Sequence, residues 1–414
     1  VIAVNLIRRT SVIFTVLAAF LGSGYAQAAD PVVSNVRSGQ RTGTKLVDIK
    51  YDLTDADGGS LSVTVAVSTN DGATYNLPAS SFSDGGSAKS IGNGVSPGNN
   101  RWIVWNAAAD WNGQFSSLVK FSITASDGTA PTGMVLIPAG SFVMGATTNV
   151  GHESKSEERP QHTVYVSAFY MDRYEVTKIL WDEVATWASV NGYDIYSGSA
   201  SGKAPNHPAH SVSWYEAVKW CNARAQKDGL TPCYTANGLI FKTQQNTNVV
   251  CNWLANGYRL PTEAEWEKAA RGGVANRRFP WSDSDEIQHA RANYFSKTTY
   301  AYDTSPTRGN HPSYTNAPQP YTSPAGSFAA NGYGLYDMAG NAWEWCWDWY
   351  STSYYSTSPV TDPRGASSGS SRVLRGGGWN DSADNTRVAY RYLSRYYYPA
   401  REDYSLGFRC ARGL

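Results

Sequence analysis

Four tryptophans at alternate positions, Trp343, Trp345, Trp347 and Trp349, constrain this chain more than any other feature. Period two is the mark of a strand, and here one face carries four indoles while Glu344, Cys346, Asp348 and Tyr350 point the other way. Four indoles bury so much apolar area that such a strand belongs at the centre of a core. Just upstream, Asn331-Gly-Tyr-Gly-Leu-Tyr-Asp337 opens with glycines that allow a tight path with positive φ. Asp337, the turn at Gly340-Asn341 and Glu344 then gather hard oxygen donors, as calcium requires. A simple hydrogen-bonded turn is the competing reading.

The 414-residue chain is long enough for two or three domains. A formal charge of +1 without blocks of like charge gives no footprint for nucleic acid or an anionic membrane surface. Only 17% of residues are charged while Gly, Trp and Tyr are abundant, which suits a loop-rich globular protein and excludes a helical bundle or a disordered chain. Residues 1–28 read as a signal peptide: Arg8 and Arg9, an apolar run from Val12 to Leu21, then Ala26-Gln-Ala28. That run is short for a membrane span, and no other stretch is long and apolar enough, so the expected product is secreted, periplasmic or at the cell surface. In an oxidising compartment, Cys221, Cys233, Cys251, Cys346 and Cys410 predict two disulfides and one leftover thiol, with pairing that spacing alone does not give.

Residues 31–127 read as all-β. Leu46–Tyr51, Leu61–Val67, Arg101–Trp105 and Leu118–Thr124 alternate, separated by turn signals such as Asp84-Gly85 and Pro97-Gly98. Strands this short within roughly 100 residues predict an immunoglobulin-like or fibronectin-like sandwich. Asp52, Asp55 and Asp57 lack the full calcium-loop series, and a plain turn is the expectation. Residues 128–133 are a linker by composition, and 134–412 form a second domain of α+β, loop-rich type. Three helices are signalled there by caps: Thr177, the box Ser213-Trp-Tyr-Glu216, and the box Thr262-Glu-Ala-Glu265 closed by Gly272-Gly273. His207 and His210 have i, i+3 spacing, but Pro208 argues against a helix that would converge the rings on a metal. The stretch from Tyr390 to Tyr398 is dense in Tyr, Arg and Ser, which is either an antibody-like contact surface or a packed strand with a solvated edge.

Ile137-Pro-Ala-Gly-Ser-Phe-Val-Met-Gly145, Glu175-Val-Thr177, Pro208 to Trp214, Tyr258-Arg-Leu-Pro-Thr-Glu-Ala-Glu-Trp-Glu267, Phe279-Pro-Trp281, Gly332 to Trp345, Arg375-Gly-Gly377 and Gly407-Phe-Arg-Cys410 together resemble the sulfatase-modifying-factor family, founded on formylglycine-generating enzymes. The resemblance implies a variant of the C-type-lectin fold with structural calcium. It places Asp337, Gly340, Ala342 and Glu344 on one calcium site, and Asn293 and Tyr294 at the start of a second. It also implies a Cys221–Cys410 disulfide; Cys233–Cys251 would then close a local loop and leave Cys346 unpaired. Family generators of formylglycine hold copper(I) on two cysteines five residues apart after the Arg-Gly-Gly motif. Here those positions are Asp381 and Thr386, and the family serine before them is Gly378. Copper(I) prefers soft thiolates, so copper is not expected and no catalytic residue is assigned. Relatives that make ergothioneine-type sulfoxides use a helical domain missing here, whereas variable proteins of diversity-generating retroelements present the corresponding terminal stretch as a binding face.

The expected function is therefore a calcium-stabilised, non-catalytic binding module. Trp379, Asn380, Asp381, Arg387, Tyr396, Tyr397 and Tyr398 would meet a protein or glycan ligand. The alternative is a formylglycine-type or other metal-dependent oxidase acting on a protein or a small thiol.

Overall fold

The computed structural model describes residues 31–414 except 56–57, 59–60, 70, 73–76, 78, 115, 127–129, 147–154, 317 and 393–397. The signal-peptide stretch, Asp57, part of the linker, Tyr396 and Tyr397 lie outside the described residues. Among the described residues, no helix is long and apolar enough to cross a membrane.

The first part of the chain is a pair of sheets. One takes the order Val32–Gln40, Leu46–Thr54, Gly98–Asn106, Phe82–Asp84; the other takes Gly92–Val95, Leu61–Ser68, Lys120–Ser126. All their pairings are antiparallel. Alternation does the sorting: Ile49, Tyr51 and Leu53 from one sheet meet Leu61, Val63 and Val67 from the other in a single core with Ile103 and Trp105. This is the sandwich that the strand spacing predicts. Asp52 is part of its fabric, accepting from the Asn100 amide at 2.7 Å and from Asn35 Nδ2 at 2.7 Å.

From Met134 onward the architecture is α+β with much irregular backbone. A four-stranded sheet runs Tyr258–Arg259, Ala411–Gly413, Phe169–Asp172, Met134–Ile137, which draws the end of the chain back beside the start of the domain. Helices Lys178–Ser189, Trp214–Lys227 and Glu263–Arg271 begin where their caps predict. Ser213 and Glu216 exchange reciprocal bonds (2.9 and 3.3 Å), and so do Thr262 and Glu265 (2.8 and 3.1 Å). Gly272 ends the third helix in the left-handed region, at φ 58°.

The strand Trp343–Trp349 sits in the middle of a second sheet, antiparallel to Arg372–Arg375 and parallel to Leu406–Gly407. It separates two cores. Trp343 and Trp345 enter one of them with Trp181, Trp214, Trp220 and Phe408, and Trp347 packs against it. Cys346 and Tyr350 enter the other, with Trp266, Ala269 and Val373. The polar face of this strand is therefore buried too, and Glu344 and Asp348 each require a partner inside the protein.

Candidate functional site

The turn before this strand is a tight crossing of two chain segments. Gly340 has φ 82°, and a Cβ there would lie 2.2 Å from the Asn293 carbonyl, so only glycine fits. Asn293 forms a parallel bridge with Gly340, and its carbonyl accepts from the Asn341 amide at 2.8 Å. The two sequence segments predicted to carry separate calcium ligands are thus in direct contact. Asn341 is the hub of the turn: its Oδ1 accepts from Ser323 N at 2.8 Å and its Nδ2 donates to Glu175 Oε2 at 2.6 Å.

Charge around this turn does not balance. Glu175, Asp337 and Glu344 lie near one another, and Arg409 is the cation among them. Arg409 is bonded to Glu344, and among the described residues neither Glu175 nor Asp337 forms an ion pair, although no group of three or more His, Cys, Asp or Glu side chains is placed to hold a metal ion. Burial and the charges of Asp337 and Glu344 push Glu175 well above the usual carboxylate range. Burial, with a contribution from Glu344, pushes Asp337 up to about 6 despite the Gly326 amide and Arg409. Asp337 Oδ1 and Asn293 Oδ1 are buried polar atoms with no hydrogen-bond partner. Both are hard oxygens, the donor type that calcium takes. Glu344 is more committed: Oε1 accepts from Arg409 Nη2 at 2.6 Å, and Oε2 accepts from Arg409 Nε at 2.7 Å and Trp266 Nε1 at 2.7 Å. Tyr294 turns its hydroxyl to Asp303 (2.7 Å) and lends its carbonyl to His289 Nε2 (3.2 Å). Gly340 and Ala342 would contribute only backbone oxygen.

Beyond the turn lies the loop after Arg375. Burial raises the pKa of the Asp381 carboxyl, although Trp343 Nε1 (2.6 Å) and Gly378 N (3.1 Å) donate to Oδ2 and Asn385 Nδ2 (2.9 Å) donates to Oδ1. Thr386 is fully buried, and its hydroxyl donates to Ala383 O at 3.0 Å. A hard carboxylate already holding three donors, next to a hydroxyl already bonded, does not fit copper(I). Trp379 packs edge-on to Tyr321 (5.1 Å) and tilted against Tyr404 (5.7 Å), and its buried Nε1 has no partner. Asn380, Tyr398 and Tyr404 are exposed. Arg387 is not on this surface. It is 2% exposed and forms a fork with Glu158 at 2.8 Å through each of Nη1 and Nη2, with Asp384 bonded to Nε at 3.1 Å. Its charge serves the interior, whereas Asp381 is half-buried and holds three donors.

All five cysteines are unbonded. Cys221 and Cys410 face each other with sulfurs 3.6 Å apart, fully buried. Cys233 Sγ is instead directed at the Gly257 carbonyl (3.3 Å), and Cys251 lies across from Tyr234 in the next strand. Cys346 is fully buried. His207 and His210 do not converge on a metal: their Nδ1 atoms meet Thr322 Oγ1 (2.9 Å) and Ser211 Oγ (3.1 Å) respectively.

Glu175, Arg409 and Tyr321 are the site residues that sequence reasoning gave no role, whereas Tyr404 ends the Tyr-rich segment from Tyr390 that resembles a binding face. Glu175 stood within the Glu-Val-Thr motif, which was a usable signal. Arg409 stood in Gly407-Phe-Arg-Cys410, but nothing local announced its partner.

Comparison with known proteins bears on this geometry. The sulfatase-modifying factor enzyme 1-like domain matches residues 120–414. The formylglycine-generating enzyme of Thermomonospora curvata is 35% identical over 301 residues, 67% of this chain and 93% of that protein. The serine/threonine-protein kinase pkn1 of Chlamydia caviae is 32% identical over 289 residues, 68% of this chain but only 38% of that protein. Among solved structures, Treponema denticola variable protein 1 superposes with a TM-score of 0.52 and 31% identity, covering 68% of this chain and 95% of that one.

Proposed function

The chain belongs to the sulfatase-modifying factor family, and from that premise we propose that it is a secreted, calcium-stabilised binding module that does not generate formylglycine. The observation that carries this reading is the loop after Arg375. Its two positions of interest are a half-buried Asp381 holding three donors and a buried Thr386 bonded to Ala383 O. Neither supplies a thiolate to copper or a nucleophile to a substrate. Calcium is supported by the charge excess around Glu175, Asp337 and Glu344 and by the unpartnered oxygens of Asp337 and Asn293. When bound, the cation would neutralise these carboxylates and fix the turn that carries the central strand. The partner would meet the rim formed by Asn380, Tyr398 and Tyr404, with Trp379 behind them as the rigid support. Its ligand class is a protein or glycan. In an oxidising compartment Cys221 and Cys410 would bond with little rearrangement, and Cys233 with Cys251 after Cys233 leaves its carbonyl contact.

The similarity to formylglycine-generating enzymes favours an oxidase as the second reading. Metal analysis of the purified full chain separates the two. Calcium without copper or iron is the expected result; copper or iron bound in stoichiometric amount would overturn the binding-module reading.

A further inference from the structure

A larger cavity lies away from both the turn and the terminal loop. It measures about 460 Å³, within the roughly 300–1,000 Å³ of small-molecule sites. One wall is the second domain, with Trp253, Arg259, Glu265, Asp362 and Arg364; the other includes Thr64 and Thr124 of the sandwich, which face each other across paired strands.

Two guanidinium groups lie near the indole of Trp253. The Cζ of Arg364 lies 4.4 Å from its ring centroid and that of Arg259 lies 5.1 Å away. Trp347 meets the same ring edge-on at 5.8 Å and is itself stacked on Tyr234 at 5.3 Å, so the indole is braced from behind. The charges of this wall are not equally committed. Arg259 forms a fork with Glu265 at 2.6 and 2.7 Å. Asp362 accepts from the Ser167 amide and hydroxyl, each at 2.7 Å. Arg364 is exposed, and among the described residues no carboxylate forms an ion pair with it. Desolvation, more than any nearby charge, holds its pKa below the usual arginine value.

A guanidinium lying over an indole keeps its N–H fork in the plane parallel to the ring. The fork is then free to take a planar acid group edge-on while the half-buried indole offers apolar surface beside it. We propose that this cavity is a second binding site, for a small planar aromatic anion whose ring lies along Trp253 and whose acid group is bound by Arg364. The volume accommodates a molecule of two or three rings and excludes a folded partner. Thr64 and Thr124 give the opposite wall hydroxyls for any polar edge of the ligand. A ligand held in this way touches both domains.

The test uses the full chain and anilinonaphthalene sulfonate, an aromatic anion whose fluorescence reports binding, with the uncharged phenylnaphthylamine as its partner probe. The expected result is one saturable sulfonate site per chain, weakened at least tenfold in Arg364→Gln and abolished in Thr124→Trp, which fills the cavity from the other wall. Binding of the neutral probe should be unchanged in Arg364→Gln. Far-ultraviolet circular dichroism and the melting temperature of each variant establish that it is folded. Absence of saturable binding to the parent chain, or equal sulfonate affinity in parent and Arg364→Gln, would overturn the proposal.

Discussion

Replacing Glu344 with glutamine separates two roles that the structure assigns to one carboxylate. Both Glu344 oxygens accept from Arg409, at 2.6 and 2.7 Å, and Trp266 Nε1 adds a third donor at 2.7 Å. Glu344 and Arg409 are both fully buried. Glutamine retains one acceptor but sets an amide donor against a guanidinium donor, leaving a buried cation half-paired. Breaking a buried pair in this way costs about 3–5 kcal/mol. At roughly 2–4 °C per kcal/mol for a domain of this size, the melting temperature should fall by roughly 6–20 °C. The same substitution removes one of the three carboxylates around the turn and with it part of the demand for a divalent cation. A parent protein in calcium at a hundred times its dissociation constant gains about 2.7 kcal/mol, and the variant should gain clearly less. Thermal unfolding of parent and Glu344→Gln, each with calcium and with chelator, gives all four quantities. A fall of less than about 2 °C would refute the buried-pair argument. An undiminished calcium increment would refute the place of Glu344 in the cation cluster.

The remaining predictions concern the rest of the domain. Arg387→Ala should destabilise by about 3–5 kcal/mol in denaturant unfolding, because it strands Glu158 in the interior; a near-neutral result would mean the ion pair is dispensable. Burial lowers the pKa of His210 from 6.5 to about 4, with burial also lowering His207, His289 and His311. The unfolded chain then binds more protons between these values, so His210 contributes stability above pH 6.5 that is lost as pH falls toward 4. The loss is on the order of 3 kcal/mol at most for this residue, and His210→Gln should flatten the melting-temperature profile across that window; an unchanged slope would contradict the assignment. Non-reducing peptide mapping of protein from an oxidising compartment should recover Cys221 linked to Cys410 and Cys346 unlinked, and a bridged Cys346 would overturn the pairing.

What the sequence made legible was local. The tryptophan alternation identified the central strand, and two reciprocal cap boxes and one Thr cap placed the starts of three helices, because each signal lies within a few residues of what it specifies. The glycine of the turn was legible for the same reason. The partners of buried charges were not. Glu344 is paired 65 residues away, Asn341 reaches Glu175 across 166 residues, and Arg387 reaches Glu158 across 229. Alternation alone set Glu344 opposite the tryptophans and named no protein partner for that face; the helix Glu263–Arg271 packs on that side and turns it into a second core. Arg387 similarly read as a contact residue because it stands before the Tyr-rich stretch, while its interior role depends on a segment that precedes the helix Lys178–Ser189.

The central proposal is that this member of the family binds but does not oxidise. Its most direct test incubates the full chain with copper, a reductant, oxygen and a sulfatase-motif peptide, and follows the peptide by mass spectrometry. The account predicts that the peptide cysteine stays intact at every time point, because neither Asp381 nor Thr386 offers a thiolate to copper. Catalytic conversion of that cysteine to formylglycine would contradict it.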